Sequence, residues 1–306
     1  MIDMAERNIK DANILVADKL NSFVEELENR LGSHVLTFSG HIYQNADLFI
    51  RDAVEERKQK KPRRSKLAFF LETSGGFIEV VQRIVHVLRT HYRRIEFYVP
   101  NAAMSAGTVL VMSGDEIHMD YYSILGPIDP QLPKPDGTSV PALGYLRQYE
   151  KLMRKANEGK LNTAEMTYLC TKFDPAELYQ YEHARELSVF LLEKWLAKYK
   201  FRNWKRTKTK RKVVKTAMKK RRAREIAEKL NDIEKWHTHG HGISMAVLRS
   251  PEIKLLINDF GENEELHKTI RNYWALLADH MNKMAASGAI HTKGSYKMLS
   301  TFKKSD

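Results

Sequence analysis

Residues 67–76 read LAFFLETSGG, and this stretch is the strongest indication of the fold class. Its first five residues are all apolar, which is typical of a strand buried on both faces of a parallel sheet. The chain then turns at Ser74-Gly75-Gly76, and apolar residues follow at helical spacing, among them Val81, Ile84 and Leu88. A buried strand that leads through small residues into a helix predicts one half of a β-α-β unit.

A second unit of the same kind follows about 30 residues later. A strand is predicted over residues 95–99, and it leads into a turn that reads AAMSAGT over residues 102–108. A short strand over 116–119 comes next, while a strand over 34–39 and a helix over 46–58 precede both units. This alternation predicts right-handed parallel crossovers and an α/β core.

The rest of the chain is predicted to be almost wholly helical. Residues 11–31 have apolar positions near helical spacing, and the same pattern recurs beyond Ala142. The helices expected there cover residues 142–157, 163–172, 175–199 and 212–231, with a further segment over 243–285. The expected organisation is therefore an N-terminal helix over 1–33, a core over 34–141 and a helical extension over 142–306.

Composition restricts the class of protein. Of the 306 residues 42% are hydrophobic, which favours a globular protein over a disordered one. The single cysteine, Cys170, excludes an internal disulfide framework and suits a reducing compartment. The first ten residues carry charges and have no apolar core, and no uncharged run suits a membrane span. We therefore expect a cytoplasmic protein.

The net charge of +13 comes from one stretch, which begins at Lys198 and ends at Arg224. This basic stretch holds 15 Lys and Arg residues and no Asp or Glu. Such runs are usually solvated faces, and that interpretation is favoured here. The alternative is a partner nucleic acid, bound through its phosphates, although no nucleic-acid module's pattern is present.

The two small-residue turns carry the chemistry. Both follow a buried strand, and ligands of open α/β sheets bind at the carboxyl ends of strands. Ser105 lies at the second turn, between small residues and before a helix, as the serine of a nucleophile elbow does. The N–H group of Ala106 and those of the first turn could then stabilise an oxyanion. The alternative is that Ser105 only caps a helix.

The two turns also resemble a known superfamily. Residues 74–76 and 103–107 are similar to the oxyanion and nucleophile signatures of the Clp proteolytic subunit and the signal-peptide-peptidase-A peptidases. The serine dehydrogenase proteinase family is the most similar branch, and the resemblance continues through SGDEI at 113–117, LGPIDPQ at 125–131, DPAEL at 174–178 and the turn at 236–244.

This resemblance implies a crotonase-like spiral core and a serine peptidase that acts on polypeptides. Ser105 would be the nucleophile, and Gly75, Gly76 and Ala106 would form the oxyanion hole. No cofactor is required, and the peptidases of this fold imply a homo-oligomer. Two alternatives stay open, namely a thioester or other acyl hydrolase of the same fold and an inactive scaffold that recruits nucleic acid.

The general base has several candidates. Asp129 stands where the resembling loop of Clp-type enzymes has a histidine. Lys151 and Lys155 fall in the range where the signal-peptide-peptidase branch has its catalytic lysine. The base stays unassigned, and Lys151 is the favoured candidate, although it lies opposite the apolar stripe of its predicted helix. His118 is an alternative, on a short strand.

Three histidines, His237, His239 and His241, alternate in a glycine-rich turn. Imidazoles at this spacing could bind zinc or nickel, but no accompanying carboxylate pattern supports a metal site. A linker between helices is the favoured interpretation, and a histidine that reaches the active site is the remaining one.

Overall fold

The computed structural model describes the backbone of residues 2–133, 139–207 and 211–299, and side chains over 12–131, 142–207, 211–232 and 234–299. The helices are α1 Ile2–Leu31, α2 Ala46–Gln59, α3 Ile78–His91, α4 Ala106–Val111, α5 Ala142–Asn157, α6 Thr163–Lys172, α7 Pro175–Trp195, α8 Thr216–Leu230, α9 Ile233–Trp236, α10 Met245–Arg249 and α11 Glu264–Lys283. The strands are β1 His34–Gly40, β2 Lys66–Glu72, β3 Arg94–Tyr98, β4 Ala102–Ala103, β5 Glu116–Met119, β6 Ile124–Leu125, β7 Gln131–Pro133, β8 Ser139–Pro141, β9 Ile243–Ser244, β10 Asn258–Asp259, β11 Gly288–Thr292 and β12 Ser295–Leu299.

The main sheet has the strand order β10-β5-β3-β2-β1-β11-β12. The pairs between β1, β2, β3, β5 and β10 are parallel, and β11 and β12 add an antiparallel edge. Because α2 and α3 join successive parallel strands, the chain has the crossovers that the sequence predicts. The α/β class is confirmed.

Helices cover both faces of this sheet, which explains why the run at 67–71 is apolar throughout. On one face Phe69 stacks on Phe97, with ring centroids 5.2 Å apart, in the core that includes Ile50 of α2 and Ile84 of α3. On the other face Phe70 packs in a second cluster beneath α1 and α11. Adjacent side chains of a strand point to opposite faces, so both faces need apolar residues.

The region after the core differs in part from the prediction of a helical extension. Helices α5 and α6 have the predicted bounds, and α7 ends at Trp195 before a π-helical turn over Leu196–Lys200. However, β10 pairs with β5 and β11 pairs with β1, so the end of the chain completes the main sheet. The sequence over 286–299 is too short and too mixed in polarity to give a periodic signal.

The basic stretch also differs from its prediction as a helix from residue 212. Helix α8 begins at Thr216, and Arg206 and Val213 form an antiparallel bridge before it. None of the helices in the described ranges is long and apolar enough to cross a membrane.

Candidate active site

Ser105 occupies a strained turn between β4 and α4. Its backbone has φ 54° and ψ −120°, a conformation that L-residues rarely adopt and that costs on the order of 1–3 kcal/mol. The turn is held from both sides, because the Met104 N–H donates to the Thr73 carbonyl at 2.9 Å and the Gly107 N–H donates to the Met104 carbonyl at 2.8 Å. The surrounding structure therefore imposes the strained conformation on a half-buried serine.

The glycine turn lies directly against this serine. Gly75 and Gly76 have φ values of 107° and 143°, which favour glycine. A Cβ added to Gly75 would lie 2.8 Å from the Ser105 Cβ and 3.4 Å from its Oγ. One added to Gly76 would lie 2.2 Å from the Ile42 carbonyl oxygen. The turn has no room for a side chain at either position.

The backbone hydrogen bonds show which N–H groups of the two turns are free. The Gly75 N–H donates to Thr73 Oγ1 at 3.0 Å, so this predicted oxyanion donor is already engaged. The backbone of Ile42 bonds to the residues on either side of Gly76: its N–H donates to the Gly75 carbonyl, and its carbonyl accepts from the Phe77 N–H. In this parallel bridge the Gly76 N–H points away from Ile42. Within the described ranges, neither Gly76 nor Ala106 has an acceptor for its N–H.

The predicted Asp129 pairs with a histidine. His239 Nδ1 lies 2.9 Å from Asp129 Oδ1, and the Gln131 amide donates to the other carboxylate oxygen at 2.6 Å. The Asp129 carboxylate is fully buried, whereas the His239 side chain is 23% exposed. The His239 Nε2 atom has no hydrogen-bond partner in the part of the chain that the structure describes.

A small sheet with the order β4-β6-β9 connects this pair to the serine turn. Leu125 of β6 lies opposite Ile243 of β9 in an antiparallel register, so Asp129 lies four residues after this pair and His239 four residues before it in the chain. On the other side β6 pairs with β4, and the Gly126 N–H donates to the Ala103 carbonyl at 3.2 Å. The serine turn, the aspartate and the histidine thus all extend from this small sheet.

Lys151 is not brought to this site by any described contact. It is exposed on α5, on a surface shared with Arg154 and Lys155, and it forms neither an ion pair nor a hydrogen bond with the described part of the chain. Lys155 is paired with Glu165 at 2.5 Å. Lys151 remains a prediction without a structural link to Ser105.

His118 belongs to a different cluster, on the main sheet. Its ring stacks on Tyr98, and its Nε2 atom lies 3.5 Å from Glu116 and 3.8 Å from Glu96. This trio is the one group of the described residues with the spacing of a metal site. Lys66 and Arg94 already form ion pairs with Glu96, each at 2.8 Å, so cationic side chains neutralise the cluster. The histidines of the 237–241 turn do not converge as ligands among the described side chains.

His41, which lies beside the glycine turn, belongs to no motif that sequence analysis singled out. Its Nδ1 atom lies 3.0 Å from the Ser74 Oγ atom, and burial lowers the pKa of the imidazole. Its position could have identified it, because His41 directly follows β1, and ligands bind at the carboxyl ends of parallel strands. His41 therefore lies beside the first small-residue turn, whereas His239 pairs with Asp129.

The family model of the ClpP-like SDH-type serine proteinases matches residues 16–167. Through these residues the chain belongs to this family. The match covers both small-residue turns and Asp129, and it confirms the predicted relation to the Clp proteases. His239 lies beyond the matched residues.

Two curated proteins are similar to parts of the chain. Two proteins of Methanocaldococcus jannaschii, both described as uncharacterized, are 28% and 27% identical over 200 and 139 residues. These matches cover 58% and 42% of this chain, which spans 66% and 47% of the relatives' lengths.

Two solved structures are similar to a smaller part of the chain. One is a mutant of 1510-N, described as a membrane-bound stomatin-specific protease, with 18% identity and a TM-score of 0.32 over 48% of this chain and 74% of that one. The other is the ClpP protease catalytic domain from Plasmodium falciparum, with 11% identity and a TM-score of 0.28 over 30% and 53% of the two chains. The family assignment rests on the sequence match.

Proposed function

We propose that this protein is a serine peptidase in which Ser105 is the nucleophile, His239 the general base and Asp129 the residue that orients the histidine. The main support for this proposal is the bond between His239 Nδ1 and the buried Asp129 carboxylate, in segments that adjoin the small sheet from which the strained serine turn extends. A serine hydroxyl needs such a neighbouring base, itself oriented by a third group.

The proposed reaction is acyl transfer. Ser105 Oγ attacks the carbonyl carbon of a peptide bond while His239 Nε2 takes the hydroxyl proton. The carbonyl oxygen becomes an oxyanion, which the N–H groups of Gly76 and Ala106 stabilise. His239 then gives its proton to the leaving amine, and the C–N bond breaks. Water releases the acyl group from Ser105 by the same steps, with His239 again acting as the base.

The neighbours of Asp129 suit the role of an orienting group. Its carboxylate accepts from the Gln131 amide as well as from His239, so both oxygens are bonded and the group is fixed. An anion beside Nδ1 selects the tautomer in which Nδ1 carries the proton and Nε2 is free to accept one. The buried carboxylate also stabilises the imidazolium that forms during the reaction.

Substitution of the proposed base and its partner tests this assignment. We expect His239→Gln and Asp129→Asn each to lower kcat by at least 100-fold, on the scale typical of lost general-base catalysis. His237→Gln is the matched control, because it removes a neighbouring exposed imidazole from the same turn and should leave turnover nearly unchanged. An active His239→Gln enzyme together with an inactive Lys151→Met enzyme would instead make Lys151 the base.

A second function uses the same groups, because an oxyanion hole serves thioester hydrolysis as well as peptide hydrolysis. The family's description as serine proteinases favours a polypeptide substrate. Turnover of casein against turnover of acyl-CoA separates the two. We also propose a homo-oligomer, which light scattering on the purified protein would test.

A further inference from the structure

Residues 205–207 and 211–214 are the two described arms of a small hairpin within the basic stretch. The Thr207 N–H donates to the Lys212 carbonyl and the Val214 N–H donates to the Lys205 carbonyl, both at 2.9 Å. The Lys212 N–H also donates to the Thr207 hydroxyl at 3.0 Å. The cationic side chains of this segment therefore stand on a hydrogen-bonded backbone.

The base of this hairpin is fixed to the body of the protein. Val214 is 9% exposed, and the Lys219 ammonium of α8 donates to the Arg202 carbonyl at 2.8 Å. Arg202 in turn forms an ion pair with Asp115, directly before β5. A cation on an anchored hairpin loses less conformational freedom on binding than one on a free loop.

The charges of the flanking segments are neutralised only in part. Arg202 pairs with Asp115, Arg222 with Glu225 and Arg224 with Glu228, whereas Lys198 and Lys220 are exposed and have no carboxylate within 4 Å among the described side chains. Near the paired residues, five exposed cations likewise have no carboxylate within 4 Å among the described side chains, namely Lys205, Arg206, Arg211, Lys212 and Lys215. These five residues, called here the basic hairpin patch, concentrate positive charge that the fold does not neutralise.

The basic hairpin patch and the candidate active site lie at opposite ends of the parallel strands of the main sheet. Its anchor, Asp115, precedes β5 at the amino end of that strand, whereas the Ser105 turn follows the carboxyl end of β3. A ligand bound at the amino ends of the strands would therefore not occupy the serine site. Binding at the patch would be a function separate from catalysis at Ser105.

We propose that the basic hairpin patch binds the phosphate backbone of a nucleic acid. Guanidinium and ammonium groups without acidic partners are the groups that contact phosphates, and they need no base-specific pattern. Beside them Val213 is the exposed large apolar residue of the hairpin, at 62% exposure, which is too little to anchor the segment in a lipid bilayer. Binding is accordingly insensitive to base sequence and sensitive to salt.

Counterion release sets the expected salt dependence. Five neutralised phosphates on a single strand give a slope of about −3.5 for the logarithm of the binding constant against the logarithm of the salt concentration. Between 50 and 200 mM salt the affinity should then fall on the order of 100-fold. Loss of four of the five cations should remove most of this slope.

The test is fluorescence anisotropy of the full chain with labelled 20-nucleotide single strands of two unrelated sequences. The patch variant K205Q/R206Q/R211Q/K212Q should lose at least tenfold in affinity at 50 mM salt. The control variant removes two exposed arginines and two exposed lysines elsewhere, as R63Q/R93Q/K172Q/K268Q. Because both variants lose the same net charge, the control separates a localised site from general attraction.

We expect the control variant to bind both strands nearly as the unaltered protein does. Failure of the unaltered protein to bind, or an equal loss in both variants, would overturn the proposal. So would binding of phosphatidylserine vesicles that depends on the patch when the oligonucleotides do not bind. Labelling of Ser105 by a fluorophosphonate probe should be the same in both variants, which shows that a loss of binding is not a loss of the fold.

Discussion

His291 should make the stability of this protein depend on pH in a direction and to an extent that the structure sets. The imidazole is fully buried on β11, where Nδ1 lies 3.0 Å from the Tyr273 hydroxyl and Nε2 lies 3.1 Å from the Asn21 side-chain oxygen. Burial lowers the pKa of His291 to about 3. The folded protein therefore holds this histidine neutral, between α1 and α11.

The magnitude follows from the linkage between protonation and folding. As the pH falls through about 6.5, His291 is protonated in the unfolded chain but stays neutral in the folded state. Stability is therefore lost from about pH 6.5 down to about pH 3. Between pH 8 and pH 5 this one group removes about 2 kcal/mol from the free energy of unfolding. His34 and His280, whose pKa values burial also lowers, add losses of the same sign.

A comparison of variants isolates the contribution of His291. Urea unfolding at pH 8 and pH 5 gives the loss in free energy of unfolding for each protein, and the loss should be about 2 kcal/mol smaller in His291→Gln than in the unaltered chain. His86→Gln, which changes an exposed histidine on α3, should behave as the unaltered chain does. If His291→Gln loses as much stability between the two pH values as the unaltered chain, the inference that the folded state holds His291 neutral is wrong.

Two further substitutions test the site and the core. Gly76→Ala should lower kcat at least 100-fold while the chain stays folded, because its Cβ would meet the Ile42 carbonyl and displace an oxyanion donor; Gly144→Ala, which meets no atom within 4 Å, is the control. Normal turnover in Gly76→Ala would remove this turn from the site. Arg57→Met should cost about 3–5 kcal/mol of stability, because it leaves the buried Glu28 carboxylate without its bidentate partner. The double variant Arg57→Met/Glu28→Leu should recover only part of this loss, since the Val35 N–H also donates to Glu28. Urea unfolding measures the stability of both variants. An Arg57→Met protein as stable as the unaltered chain would contradict this prediction.

Local sequence signals were sufficient for the parallel core. The apolar run at 67–71 fits a strand with helices on both faces, and the small residues at 74–76 and 102–108 fit turns at strand ends. Helices α5 and α6 were predicted at their observed bounds because their apolar spacing and end signals are local. The position of Ser105 at a strained turn follows from the same local pattern.

The remaining features depend on contacts that no local pattern encodes. Asp129 and His239 are 110 residues apart, and the loops that hold them come together because the neighbouring strands β6 and β9 pair. Strand β11 is identified by its partner β1 rather than by its own periodicity. The hairpin before α8 could not be predicted from the sequence. Lysines and arginines follow one another there with neither the two-residue period of a strand nor the helical period.

Covalent labelling would show whether Ser105 is an activated nucleophile. The full chain is treated with a fluorophosphonate probe, which reacts with activated serine hydroxyls, and the adduct is located by peptide mass spectrometry. We expect one modified residue, Ser105, with labelling abolished in Ser105→Ala and strongly slowed in His239→Gln. A protein that stays unlabelled, or that is labelled equally well after Ser105→Ala, would contradict it.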